Sequence, residues 1–123
     1  MKKIHLLLLA LTFGSCYQQD RNCTDFKTGK FEFVQEINGK KETSTFVRTE
    51  NLQIETFNGK IDTATVRWVN DCELVLQKLH PKNMQEKKAI SMKIVATKEK
   101  NYTFEYSFVG EAKKQIGTVT KID

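Results

Sequence analysis

The sequence predicts an all-β chain: one antiparallel meander of about eight strands, closed into a small barrel or flattened into a sandwich. Three observations predict it. From Gly29 onward the apolar residues recur with a period of two rather than 3.6. Asn38-Gly39 and Asn58-Gly59 are strong hairpin signals, because Asn and Gly both tolerate the positive φ of a tight two-residue turn. The links between apolar runs are also short, which demands antiparallel neighbours; a parallel crossover takes a dozen or more residues.

Each element follows from its own residues. Phe31 and Phe33 alternate with Lys30 and Glu32 in the first strand. After Asn38-Gly39, residues 42–49 are rich in Thr and Val and read as the second. Leu52, Ile54 and Thr56 alternate with Gln53, Glu55 and Phe57 up to Asn58-Gly59. Residues 61–69 are β-branched, with Ala64, Val66 and Trp68 on one face, and Asn70-Asp71 turns the chain. Cys72, Leu74 and Leu76 then lie on one side, with Val75 and Leu79 on the other, as expected of a strand covered on both faces. Around the single proline, His80-Pro81-Lys82-Asn83 breaks the pattern, and polar residues 84–88 complete the longest loop, with room for one helical turn. Ile90, Met92, Ile94 and Ala96 alternate with Ser91, Lys93 and Val95. Tyr102, Phe104, Tyr106 and Phe108 alternate with Thr103, Glu105 and Ser107 in the clearest strand of the chain. A charged turn at 110–114 leads to a last strand at 115–122. Closure would hide the sheet edges that invite aggregation, so a small barrel, lipocalin-like in general shape, is favoured over a sandwich.

The start of the chain has a different character. Residues 1–15 read MKKIHLLLLALTFGS: two lysines, a short apolar run interrupted by His5 and Thr12, then small residues before Cys16. The run is too short to span a membrane, which takes about 20 apolar residues, and it suits a signal peptide. Phe13-Gly14-Ser15-Cys16 resembles the bacterial lipobox, with Phe13 where a Leu is usual. That resemblance implies cleavage before Cys16, diacylation of its sulfur and acylation of the new amino terminus. Two or three acyl chains hold a protein stably where one does not. The organisation expected is a signal peptide at 1–15, a lipidated Cys and polar tether at 16–23, and a single β domain at 24–123. With Tyr17 rather than Asp after the Cys, the inner-membrane retention signal of enteric bacteria is missing, so the outer membrane is the expected site.

Removing 15 of 123 residues leaves 108, a single-domain length. The formal charge of +5 falls to +3 once Lys2 and Lys3 leave, and the two signs are interspersed, as at Lys40-Lys41-Glu42. The three arginines, Arg21, Arg48 and Arg67, are widely spaced. Nucleic-acid binding, which wants clustered basic residues with aromatics to stack on, is not expected.

Setting Cys16 aside leaves Cys23 and Cys72, an even pair in an oxidising compartment, and a disulfide between them is expected. The alternatives are free thiols or a metal pair. Two cysteines with one distant His80 make a poor zinc set, so no metal is expected. No cofactor is expected either: a Gly-rich phosphate loop, CxxC and HExxH are all missing from the sequence.

The expectation for chemistry is that the protein is not an enzyme. His80 is the one histidine after residue 15, and Ser44, Ser91 and Ser107 each sit in alternating strands rather than on a nucleophile elbow. Glu55 and Glu105 lie opposite apolar positions and are expected in solvent. Asp71 and Glu73 flank Cys72, where the turn reading is preferred. Arg67 is expected outward, opposite Trp68. Arg48 is left open, since Phe46 and Val47 point to opposite faces. An inward arginine would be a costly buried charge, and so a candidate for gripping an anion. Phe31, Phe33, Trp68, Phe104, Tyr106 and Phe108 form the candidate ligand pocket, against the plainer reading that they fill a core.

The segment at 22–33 (NCTDFKTGKFEF), with RWVNDCEL at 67–74 and HPKNM at 80–84, resembles a group of small lipoproteins from flavobacteria and related Bacteroidetes. The likeness covers most of the chain after Cys16 and implies no particular activity. Some of that group carry the name DNA topoisomerase IV. This sequence argues against such an activity: a type II topoisomerase needs a large multidomain scaffold, a strand-cleaving tyrosine and a metal site, and an exported chain meets no DNA. The functions expected are a lipid-anchored binding module for a small apolar ligand or an envelope protein, or else an accessory envelope lipoprotein with a filled core.

Overall fold

The structure is a computed structural model that describes residues 21–123. A 3-10 turn, η1 (Cys23–Phe26), precedes eight strands: β1 (Gly29–Ile37), β2 (Lys40–Arg48), β3 (Leu52–Phe57), β4 (Lys60–Asn70), β5 (Glu73–Lys78), β6 (Ile90–Lys98), β7 (Asn101–Phe108) and β8 (Gln115–Lys121). Each strand pairs antiparallel with the next, and β8 returns to β1 from Phe31–Lys121 to Phe33–Val119, so the meander closes into a barrel rather than a sandwich. The signal peptide expected at residues 1–15 and the lipidation expected at Cys16 fall on residues outside those described.

Both Asn-Gly pairs make the turns expected. Asn38 and Gly39 have φ of 52° and 80°, and Asn58 and Gly59 have 50° and 74°, so both central residues of each turn are left-handed, as a two-residue hairpin requires. The ladder slips between Trp68 and Asn70 and between Ile94 and Ala96, bulges that bend β4 and β6 toward closure. The loop at 81–89 holds a hydrogen-bonded turn instead of a helical one, capped by Asn83 Oδ1, which accepts from the backbone N–H of Glu86 at 2.9 Å.

In an up-and-down barrel the connections alternate between two ends. The β1–β2, β3–β4, β5–β6 and β7–β8 links define one end; the β2–β3, β4–β5 and β6–β7 links, with η1, define the other. The second end is filled. Phe31, Phe46, Ile94, Tyr102, Phe104 and Val119 are buried there, and η1 plugs it by inserting Cys23 and Phe26. Phe31 stacks on Phe46 at 4.9 Å between ring centres, and Phe26 meets Tyr102 edge-on at 5.2 Å. Cys23 is bonded to Cys72 in the β4–β5 turn, so the plug is tied covalently to the wall. Cys23, read from sequence as the last tether residue, belongs to the folded domain. Arg21 and Asn22 also contact β6, at the Ile94 carbonyl and the Thr97 hydroxyl.

Candidate ligand cavity

The first end is open. A cavity of about 300 Å³ runs down from it to the filled half of the barrel. Its walls are mostly apolar: Phe33, Phe46, Leu76, Ile90, Met92, Phe104, Tyr106 and Phe108 among them. These side chains face inward because β7 and its neighbours keep the pleat's alternation. Phe104 sits at the centre of this wall, with Phe33 and Tyr106 rings 5.6 and 5.5 Å away.

Of the six aromatics predicted for the pocket, Phe33, Phe104, Tyr106 and Phe108 line the cavity. Phe31 and Trp68 do not. Both lie lower, in the filled half, packed against the buried cluster. Their place along the strands explains it: Phe31 lies at the start of β1 and Trp68 toward the end of β4, both at the plugged end. Arg48 points into the barrel and is 1% exposed. Its guanidinium lies 4.9 Å from the Phe31 ring centre and 5.5 Å from those of Phe46 and Trp68. Phe31 and Trp68 there pack around a buried cation, below the cavity.

Strand register explains the turn inward. Arg48 is opposite Gln53, Phe46 opposite Glu55, and Val47 opposite Ile54. Directly opposed residues share a face. Since Phe46 belongs to the core, Arg48, Gln53 and Glu55 follow it inside, and Val47 and Ile54 are left exposed on the outer wall. This corrects the expectation that Glu55 faces solvent. The apolar alternation of β3 marks the outer surface, and its polar positions line the interior. Glu105, the other carboxylate expected in solvent, stays partly exposed and lies 3.9 Å from Lys114. Arg67 and His80 are exposed, and Asp71 pairs with Lys27 at 2.9 Å.

Arg48 spends its donors on neutral acceptors. Nε donates to the Lys27 carbonyl at 3.2 Å, Nη1 to Gln53 Oε1 at 3.1 Å, and Nη2 to the Phe26 carbonyl at 2.7 Å and the Tyr102 hydroxyl oxygen at 3.1 Å. Among the described residues no carboxylate pairs with it. Burial pushes the Tyr102 phenol above its usual pKa, against the opposing pull of the Arg48 charge. Gln53 and Tyr102 both reach the cavity and together form its polar floor.

Near the mouth, Lys78 bridges Asp62 at 3.0 Å and Glu86 at 3.3 Å. Burial disfavours the charge on Lys78, but hydrogen bonds and attraction from those two carboxylates outweigh it, and its pKa is raised. Glu55 lies across from Asp62 in the β3–β4 ladder. Its pKa is raised as well, first by burial and then by the Asp62 charge, with Lys78 opposing. Among the described residues, no serine, cysteine or histidine lines the cavity. Comparison with protein-family models, curated proteins and solved structures finds no match.

Proposed function

We propose that the protein is an exported lipoprotein, acylated at Cys16 and held on the outer membrane, whose barrel binds one small apolar ligand and does not transform it. The observation that carries this reading is the aromatic-walled cavity, open at one end. Its volume of about 300 Å³ is at the lower end of those that hold small molecules, and its polar groups gather toward the floor and the mouth. The disulfide suits an oxidising compartment.

Topology supports the anchor. Arg21 and Asn22 join the barrel at its plugged end, opposite the mouth. Five residue steps separate Cys16 from Arg21, a reach of at most about 18 Å. A lipid on Cys16 would hold the plugged end near the membrane and leave the mouth facing the aqueous side.

Mass spectrometry of the protein extracted gently from membranes tests both halves. Under denaturing conditions the expected chain starts at Cys16 and carries two or three acyl chains. Under native conditions a further non-covalent mass of about 150 daltons, the size that about 300 Å³ can hold, is expected, and it disappears in Ala64→Phe, which places a ring in the cavity wall. An unprocessed chain starting at Met1 would overturn the anchor, and an identical native spectrum for the Ala64→Phe variant would overturn the cavity.

One observation favours docking on an envelope protein as a second reading. Ile61, Met84, Val109 and Ile116 are exposed and all belong to the links or strand ends around the mouth. On that reading, Ile61→Asp with Met84→Asp releases a co-purifying envelope protein and leaves the native-state ligand mass in place.

A further inference from the structure

We propose that the ligand is an apolar monocarboxylate, bound with its carboxylate on the cavity floor against Gln53 and Tyr102; this rests on the cavity-binding reading above.

The argument starts from Arg48. Arginine has five donors and no acceptor, so every group that contacts it must present an acceptor. The Gln53 amide therefore turns its oxygen to Arg48, and its NH₂ is left facing the other way. The Tyr102 oxygen likewise accepts from Arg48, and its own hydrogen remains to be donated. Gln53 is 9% exposed and Tyr102 1%, yet both line the cavity. Among the described residues nothing accepts from the Gln53 NH₂ or the Tyr102 O–H. Water in the cavity can meet these donors, so an apolar occupant that displaces it loses those bonds unless it supplies acceptor oxygens of its own.

Charge selects which acceptor. Arg48 is a buried cation with no carboxylate partner among the described residues, and both floor donors are polarised by it. A ligand carboxylate is attracted by that charge and takes two hydrogen bonds at once. Glu55 stands one inward position nearer the mouth than Gln53, about 7 Å along the strand. Like charge at Glu55 disfavours an anionic head resting beside it, so the head lies on the floor and the hydrocarbon against Phe33, Phe104 and Phe108. A volume of about 300 Å³ equals about ten waters, the size of a carboxylic acid of roughly ten heavy atoms.

The test compares octanoate, 1-octanol and octylammonium by calorimetry on the purified domain with its disulfide intact. Octanoate is expected to bind at least tenfold tighter than octanol, and octylammonium most weakly. Gln53→Glu is the informative variant, because its carboxylate keeps the contact with Arg48 and presents an oxygen to the cavity in place of NH₂. It is expected to lose octanoate by tenfold or more and to keep octanol. Tyr102→Phe should weaken octanoate more than octanol. If octylammonium binds best, or if octanoate and octanol bind equally and Gln53→Glu changes neither, the carboxylate assignment is wrong and the apolar cavity stands. If none of the three binds, both readings fall.

Discussion

At the scale of single residues, two fully enclosed polar atoms lack a hydrogen-bond partner among the described residues, Ser44 Oγ and Trp68 Nε1. Ser44 faces inward on β2 and is buried. An unpaired buried hydroxyl costs about 1–3 kcal/mol, so Ser44→Ala is expected to stabilise the domain by about 1 kcal/mol, read from the midpoint of urea unfolding with unchanged slope. Glu55 makes a pH-dependent prediction. Its raised pKa means that the folded chain holds the proton more tightly than the unfolded one. The associated stability is present below the usual glutamate range and is lost as pH rises through the raised value. Glu55→Gln should therefore melt higher than wild type at neutral pH, and the gap should close in acid. An equal gap at both pH values would mean that Glu55 is not the group responsible. The inward turn of Arg48 and Glu55 was not legible in the sequence. Alternation assigns residues to two faces but does not say which face is inside, and on β3 the more apolar set is the outer one. Only the pairing of Phe46 with Glu55 resolves it.

Among the elements, β7 was read most fully, since four inward aromatics in strict alternation leave one solution. β8 was read least, because its inward side is built around a small residue. Gly117 sits beneath two rings of the cavity wall: a Cβ there would lie 2.7 Å from Phe104 Cζ and 3.0 Å from Phe33 Cε2. Gly117→Ala is expected to destabilise the fold by about 1–3 kcal/mol and to drive both rings into the cavity. Thermal melting checks the first effect, and weaker octanol binding the second. An alanine variant that melts and binds like wild type would show that the rings have room to yield. The hairpins at 38–39 and 58–59 were legible because their backbone geometry needs particular residues. The plug was not, since its four-residue length carries no periodicity and its role depends on where Arg48 points.

At the scale of the whole molecule, the closed meander follows from short links and from the need to hide edges, and both were visible in the sequence. The cavity was not, because aromatics that line a space and aromatics that fill one have the same pattern. What decides between them is position along the strands: Phe31 and Trp68 pack at the plugged end around Arg48, and Phe104, Tyr106 and Phe108 extend toward the mouth. The Cys23–Cys72 bond makes this arrangement durable. It spans 49 residues of sequence, and in the chain-entropy model a loop of that length is worth about 4 kcal/mol. Cys23→Ser with Cys72→Ser is expected to cost about 2–5 kcal/mol in urea unfolding. It should also weaken octanoate more than octanol, because the Phe26 and Lys27 carbonyls that hold Arg48 lie on the released segment.

The same bond has a mechanical meaning. Tension entering the domain through Arg21 and Asn22 reaches Cys23 first. With the disulfide closed, the load crosses to the β4–β5 turn and shears β4 and β5 against their neighbours. With it open, the load peels η1 away and then unzips the barrel from β1. Single-molecule pulling from the amino-terminal side should show one high-force rupture for the oxidised protein. With reductant, a weaker early step should appear, as the plug comes out before the wall gives way.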